Sequence, residues 1–179
     1  MAMEITVLSI VDSAVKIGLG ALIAGASGYL IAKTNKSAEK SLYVLQHKIT
    51  TLESAIEDIE VYLKAATEFA DSLHGFSSVE NRSNRLTDNE YSRIKELDEL
   101  VVNSWPRRDY AVSRFRLLHS KTVVELVWSL NAEFNKKFRE PAIFDRKLPD
   151  YKYFQNGKLA SQKVALRDGM AELYRTITS

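Results

Sequence analysis

The chain has 179 residues, of which 45% are hydrophobic and 27% charged, and this balance excludes a wholly disordered protein. The sequence contains no cysteine, which excludes disulfides, thiolate nucleophiles and cysteine-ligated zinc and fits a reducing compartment. The net charge of +2 hides an asymmetry, because residues 1–102 carry 10 Lys/Arg against 15 Asp/Glu and residues 103–179 carry 15 against 8. The two parts can neutralise each other within one bundle, or the basic part can face an anionic partner.

An uncharged run, residues 17–32, lies near the start of the chain. Extending it back to residue 13 supplies the roughly 20 residues that cross a bilayer, at the cost of including Lys16. A lysine one turn from the end can place its ammonium among the headgroups, and Asp12 precedes it by one helical turn. We therefore predict a transmembrane helix at about 13–32 within an anchor of residues 1–36. The alternatives are a cleaved signal peptide, which should begin with basic residues, and a buried core helix.

Positive charge follows the predicted span, 13–32, whereas the four or five residues before the span carry no Lys or Arg. Lys33, Lys36 and Lys40 come within eight residues of its end. The positive-inside rule then places the short amino terminus outside the cell and the domain of residues 37–179 in the cytoplasm.

A row of residues at four-residue spacing runs through the predicted span. Small residues on one face let two membrane helices approach closely, although glycine and alanine are also common in membrane helices generally. The row consists of Asp12, Lys16, Gly20, Ala24 and Gly28. It is a candidate surface for helix packing in the membrane.

The next segment has the strongest periodicity of the chain, with apolar residues alternating at spacings of three and four. This heptad seam begins with Leu42, Leu45, Ile49, Leu52, Ile56, Ile59 and Leu63 and continues to Leu73. The period is typical of a helix that packs along one side of a partner helix. In a parallel dimer Lys48 would face Glu53 of the other chain. An antiparallel bundle within one chain is the alternative, and beyond residue 55 the widening apolar face favours it.

Turn and cap signals divide the rest of the chain into further helices. The heptad helix is predicted to stop near Gly75, and Thr87 and Glu90 form a capping box that starts a helix to about Asn103. Trp105–Pro106 should interrupt that helix and begin another.

The helix from Pro106 to Arg139 is predicted to bend near His119–Ser120 and to end at Pro141. An irregular stretch, residues 140–157, follows, and a final helix starts at about Lys158. The predicted fold is therefore all-α: one transmembrane helix, a long heptad-patterned helix and a small helical bundle.

Two parts of the bundle are candidates for contact with partners. The stretch 107–121 is basic, and four of its cations could meet anionic lipid headgroups or an acidic protein: Arg107, Arg108, Arg114 and Lys121. A solvated outer face is the alternative, and nucleic acid is disfavoured. The irregular stretch holds four aromatic residues that could anchor a partner or pack on the bundle end: Phe144, Tyr151, Tyr153 and Phe154.

Patterns of known chemistry are missing from the sequence. The three histidines are scattered, and Asp71 and His74 have the spacing of a di-metal helix motif without its glutamate or its second copy. The acidic run Glu57, Asp58 and Glu60 is interpreted as a solvated face. We expect no catalytic, metal or cofactor residues, no small-molecule substrate and no enzymatic activity.

The sequence thus predicts a membrane-anchored, non-enzymatic interaction, scaffolding or regulatory protein that acts by helix packing at the cytoplasmic face. It would bind a protein partner or associate with itself. The alternatives are a membrane-active oligomeric effector, in which the small-residue row lines the interface, and an enzyme whose bundle site leaves no local motif.

Overall fold

The computed structural model describes the backbone of residues 2–78, 84–149 and 157–179. It describes the side chains of residues 28, 29, 32–78, 84–149, 157 and 159–179. The chain divides into two compact units, Met1–Gln46 and His47–Ser179. The predicted boundary between an anchor and a soluble domain, at residues 36 and 37, stays a prediction.

The first helix, α1, spans Ala2–Ser77 and contributes to both units. Its sequence contains no proline, and the heptad period keeps one apolar stripe along its second half. The helix ends two residues beyond the predicted stop at Gly75, where the Ser78 amide donates to the carbonyl of His74 at 3.1 Å. The long heptad helix is therefore confirmed.

The second helix, α2, spans Asp88–Leu117 and begins with the predicted capping box. The Thr87 amide donates to Glu90 Oε2 at 2.9 Å, and the Glu90 amide donates to Thr87 Oγ1 at 3.4 Å. The predicted break at Trp105–Pro106 is wrong, because α2 continues through Pro106. An internal proline costs about 3 kcal/mol, and burial of apolar side chains on both sides of it in one core outweighs that cost.

Helix α2 ends and a new helix begins around Leu118 to Ser120, where only a bend was predicted. His119 adopts a left-handed backbone conformation (φ 56°), which ends α2 completely. Helix α3 then begins afresh and spans Lys121–Phe134. The prediction of a single helix from Pro106 to Arg139 is therefore wrong.

Helix α3 leads into a π-helical turn, Asn135–Arg139, and then into the short helix α4, Glu140–Phe144. In this wider turn the Glu140 amide donates to the carbonyl of Asn135, five residues back. A proline crowds the carbonyl four residues before it, and a wider preceding turn relieves that crowding. Pro141 therefore does not end the helix, and of the irregular stretch predicted over 140–157, residues 140–144 are helical and the described residues 145–149 are not.

The last helix, α5, spans Lys158–Thr178, as predicted. It buries Leu166 and Met170 and packs against α3. Within the described ranges the regular structure is helical throughout, with a single isolated antiparallel bridge between Arg85 and Lys147. The all-α class and the small bundle are confirmed.

The core of the second unit lies where α1, α2, α3 and α5 meet. Its aromatic centre includes Phe69 and Phe134, whose rings make an edge-to-face contact at 5.5 Å. The buried contributors from α1 are Leu52, Ala55, Ile59, Tyr62, Leu63, Ala66, Phe69, Ala70 and Leu73. The later part of the heptad seam therefore packs against helices of its own chain.

Among the described residues, no helix has a stretch long and apolar enough to cross a membrane. The predicted span, 13–32, falls mostly on residues whose side chains lie outside those described. The transmembrane helix stays a prediction.

Candidate interaction surfaces

The segment 32–44 of α1 is exposed at every residue. Leu42, Tyr43 and Val44 follow one another there with exposed fractions of 57%, 71% and 44%. Successive helical residues point about 100° apart, so these three side chains do not share a face, whereas Leu42 and the half-buried Leu45 do and form a small apolar patch. This patch is a candidate interaction surface.

The seven predicted seam residues divide into two groups by burial. Leu42 is exposed, and Leu45 and Ile49 are half-buried. Further along, Ile56 is half-buried and three are buried: Leu52, Ile59 and Leu63. The first group therefore offers more apolar surface to a partner than the second.

Two of the predicted basic contacts are tied to one buried carboxylate. Arg107 Nη1 donates to Asp58 Oδ1 at 2.7 Å, and Arg114 donates to the other oxygen, Oδ2. The side chain of Asp58 is only 4% exposed, whereas those of Arg107 and Arg114 are 56% and 36% exposed. One carboxylate thus serves two guanidinium groups, and the pair keeps an outward positive charge.

The burial of Asp58 corrects the interpretation of its acidic run as a solvated face. Tyr62 follows Asp58 by one helical turn and is fully buried. That spacing places Asp58 on the edge of the widened apolar face. The signal was present in the sequence, but the partner arginines lie about 50 residues away along the chain.

Arg108, the third predicted contact, lies inside the bundle with an exposed fraction of 9%. Its Nη1 donates to Asn131 Oδ1 at 2.7 Å, and its Nε donates to Asp109 Oδ1 at 3.0 Å. Its guanidinium carbon lies 5.6, 5.7 and 5.2 Å from the ring centres of Tyr62, Trp105 and Trp128. Cation–π contacts of this kind, together with the ion pair to Asp109, stabilise a buried cation.

Asn131 is the junction of this polar network. Its Oδ1 accepts a hydrogen bond from the Tyr62 hydroxyl at 2.9 Å as well as the one from Arg108. Burial raises the pKa of Tyr62 to about 12, although Arg108 acts in the opposite direction. The phenol therefore remains a neutral donor, and the network joins α1, α2 and α3. Sequence reasoning missed it, because an isolated asparagine leaves no pattern.

Lys121, the fourth predicted contact, is exposed at the start of α3. Its ammonium lies 3.7 Å from Glu125, and its side chain is 88% exposed. Leu117 nearby at the end of α2 is 73% exposed. The anionic-partner interpretation of Arg107, Arg114 and Lys121 stays a prediction, whereas Arg108 has its contacts within the bundle.

The aromatic stretch is described only at its beginning. Phe144 is 72% exposed at the end of α4, and Tyr151, Tyr153 and Phe154 lie outside the described residues. Arg146 follows in a left-handed conformation (φ 52°), with its guanidinium 4.1 Å from the ring centre of Tyr91. The segment is fastened to the chain before α2, because the Leu86 amide donates to the Arg146 carbonyl at 2.9 Å.

A cleft of about 240 Å³ opens between α1, the π-helical turn and α5. Lys163 Nζ and Thr67 Oγ1 lie 3.1 Å apart on its wall. Its other lining residues are Ala70, Asp71, His74, Phe138, Gly157, Leu159 and Ala160. Among the residues with described side chains, no three His, Asp or Glu groups are placed to hold a metal ion.

Of the small-residue row, only Gly28 lies among residues with described side chains. A Cβ built on it meets nothing within 4 Å, so this position faces open space. Asp12, Lys16, Gly20 and Ala24 lie outside that set, and their packing role stays a prediction.

Comparison of the chain with protein-family models, with curated proteins and with solved structures found no match.

Proposed function

We propose that this protein is a membrane-tethered, non-enzymatic interaction protein that acts by helix packing beside the cytoplasmic face. The apolar patch of Leu42 and Leu45 carries the proposal, because Leu42 is 57% exposed and Leu45 half-buried on one face of the helical segment that follows the uncharged run. A helix that offers apolar side chains to its surroundings is suited to bind another helix.

The positions of the lysines support the proposed location at the cytoplasmic face of the membrane. Lys33, Lys36 and Lys40 are all exposed. Basic residues next to a span are attracted to the anionic inner leaflet, by about 1 kcal/mol each. They would hold the patch within a few helical turns of the membrane surface.

Membrane tethering is tested by separating membrane and soluble fractions of cells that express the full chain. Leu22→Arg places a cation in the middle of the run, which costs about 2.5–3.5 kcal/mol in membrane insertion. We expect this variant to move largely into the soluble fraction. Ser37→Arg is the matched control beyond the run and should stay in the membrane fraction. If both variants divide between the membrane and soluble fractions as the parent protein does, the proposal is contradicted.

Helix packing is tested by purifying the full chain in mild detergent and measuring the mass of the complex. Leu42→Glu with Leu45→Glu should leave only the single chain. Leu100→Glu, at a residue of α2 that is 50% exposed, is the control and should leave the complex intact. A complex that survives the double substitution would show that this patch is not the packing surface.

A further inference from the structure

The heptad register of the seam continues backwards through the exposed segment. Counting back from Leu42 at position a gives Ala38 at d, Asn35 at a and Gly28 at a. The helix is unbroken over these residues, and all four are exposed. We define the open seam as Gly28, Asn35, Ala38, Leu42 and Leu45.

The lysines of this segment lie away from the open seam. In the same register Lys33 and Lys40 fall at position f and Lys36 at position b. Positions b and f point away from the partner in a two-stranded coiled coil. The open seam is therefore uncharged and narrow, which fits one partner helix of the same pattern.

The polar member of the open seam, Asn35, distinguishes the possible partners. Its amide has both donors and an acceptor, so two copies facing each other can satisfy one another. Equivalent a positions face each other only when two helices run parallel and in register. Against an apolar residue, as in an antiparallel pair, the amide would lose its hydrogen bonds on burial.

We infer that a second copy of this chain packs on the open seam, parallel and in register, with the Asn35 side chains paired. This inference rests on the proposed function, because it names the occupant of the surface proposed there. The flanking positions agree with it. Lys48 at position g faces Glu53 at position e of the other copy, an attractive pair.

The remaining flanking pairs place no like charges together. Thr34 faces Glu39, and Ser41 faces Gln46, across the same parallel interface. A shared membrane anchor would also confine two copies to one plane with the same direction, which raises their effective concentration. Charge, register and direction thus favour a second copy over an unrelated helix.

The test uses the lack of native cysteine. Asn35→Cys and Leu42→Cys each place one thiol at position a, and Lys40→Cys places one at position f on the same exposed segment. The full-length variants are oxidised with copper phenanthroline in detergent micelles. We expect covalent dimers at residues 35 and 42 in at least about tenfold excess over residue 40, because only a positions face their own counterparts.

Two outcomes would overturn the inference. Equal cross-linking at all three positions would show random collision. No cross-linking at residues 35 and 42, in protein that still purifies with a different chain, would overturn self-pairing and leave the proposed function standing. If the chain instead purifies alone and its mass is unchanged by Leu42→Glu with Leu45→Glu, both proposals fail.

Asn35→Val gives a second readout that does not depend on a thiol. Replacing the polar a residue should tighten association by about tenfold and allow larger oligomers, since the asparagine specifies a dimer at a cost in stability. Sedimentation in detergent measures both quantities. Asn35 is exposed, so the bundle should fold unchanged. An unaltered dissociation constant and mass would show that Asn35 does not lie in the interface.

Discussion

The two parts of α1 share one heptad register and yet differ completely in burial. Residues 32–44 are exposed on every face, whereas Leu52, Ile59 and Leu63 are buried. The difference arises at position g. Up to residue 48 the residues at position g are polar: Thr34, Ser41 and Lys48. From residue 55 onward they are Ala55, Tyr62 and Phe69, all fully buried.

A two-position seam and a three-position face select different partners. The narrow seam matches one helix, as in a coiled coil, while the wider face is covered by several helices, as in a bundle. One uninterrupted period can therefore serve an intermolecular contact and an intramolecular core on the same helix. The width of the apolar face, not its period, decides between them.

The sharpest test of this comparison is a matched pair of leucine truncations. Leu52→Ala removes a fully buried side chain and should cost about 2–5 kcal/mol of unfolding free energy. Leu42→Ala removes a side chain that is 57% exposed and should cost about 0.5 kcal/mol or less. Denaturant unfolding of both full-length variants in the same detergent, at a concentration where the chain is monomeric, gives the difference. Similar losses would show that the bundle also covers the first part of α1.

Alkaline pH should weaken the second part alone, through Tyr62. Its pKa in the folded protein is about 12, above the unfolded value of 10.0, so the stabilisation is complete below pH 10 and is lost as the pH rises towards 12. A shift of this size corresponds to about 2–3 kcal/mol. The unfolding free energy of the parent protein should fall across this window by that much more than that of Tyr62→Phe. Equal losses in the two proteins would refute the prediction.

Asp58→Asn tests the carboxylate that joins α1 to α2. It leaves Arg107 and Arg114 without their anion and should cost about 1–3 kcal/mol, because Asp58 is buried while both arginines are partly hydrated. Glu96→Gln, at an exposed carboxylate of α2 that pairs with the exposed Arg93, is the control and should cost less. Thermal unfolding checks the ranking of the two variants, and a reversed order would contradict it.

The smallest effect is expected at the surface pair between α1 and α5. Arg167 donates to both oxygens of Glu60 at 3.0 and 2.9 Å, and this contact raises the pKa of the arginine. Both side chains are exposed by more than a third, so a double-mutant cycle with Glu60→Gln and Arg167→Gln should give about 0.2–1 kcal/mol. A coupling energy of several kcal/mol would indicate a drier contact than the structure shows.

Local sequence signals predicted the helices correctly where a specific pattern of neighbouring residues marks them. The capping box at Thr87 and Glu90, the heptad seam and the start of the last helix at Lys158 all follow from residues close in sequence. The two proline predictions were wrong for one reason. At Pro106 and Pro141 the local cost of a proline was weighed without the core on either side, which is built from distant residues.

The candidate interaction surfaces show the same division between local signals, which the sequence displays, and contacts made by distant residues, which it does not. The sequence indicated that Leu42 and Arg108 could contact partners, because an amphipathic period and a cluster of cations are visible along the chain. It could not show that Arg108 is enclosed by Tyr62, Trp105 and Trp128, since these side chains come together only when three helices pack.

What the sequence by itself determined is the helical class, the long heptad register and the capping box at Thr87 and Glu90, because each depends on contacts within a few residues. The tertiary structure alone decided which part of that register is used within the chain. It buried Leu52 and left Leu42 exposed, since burial depends on the helices that the rest of the chain brings alongside. The heptad period was therefore a local property of the sequence, whereas the surface that packs against it was not.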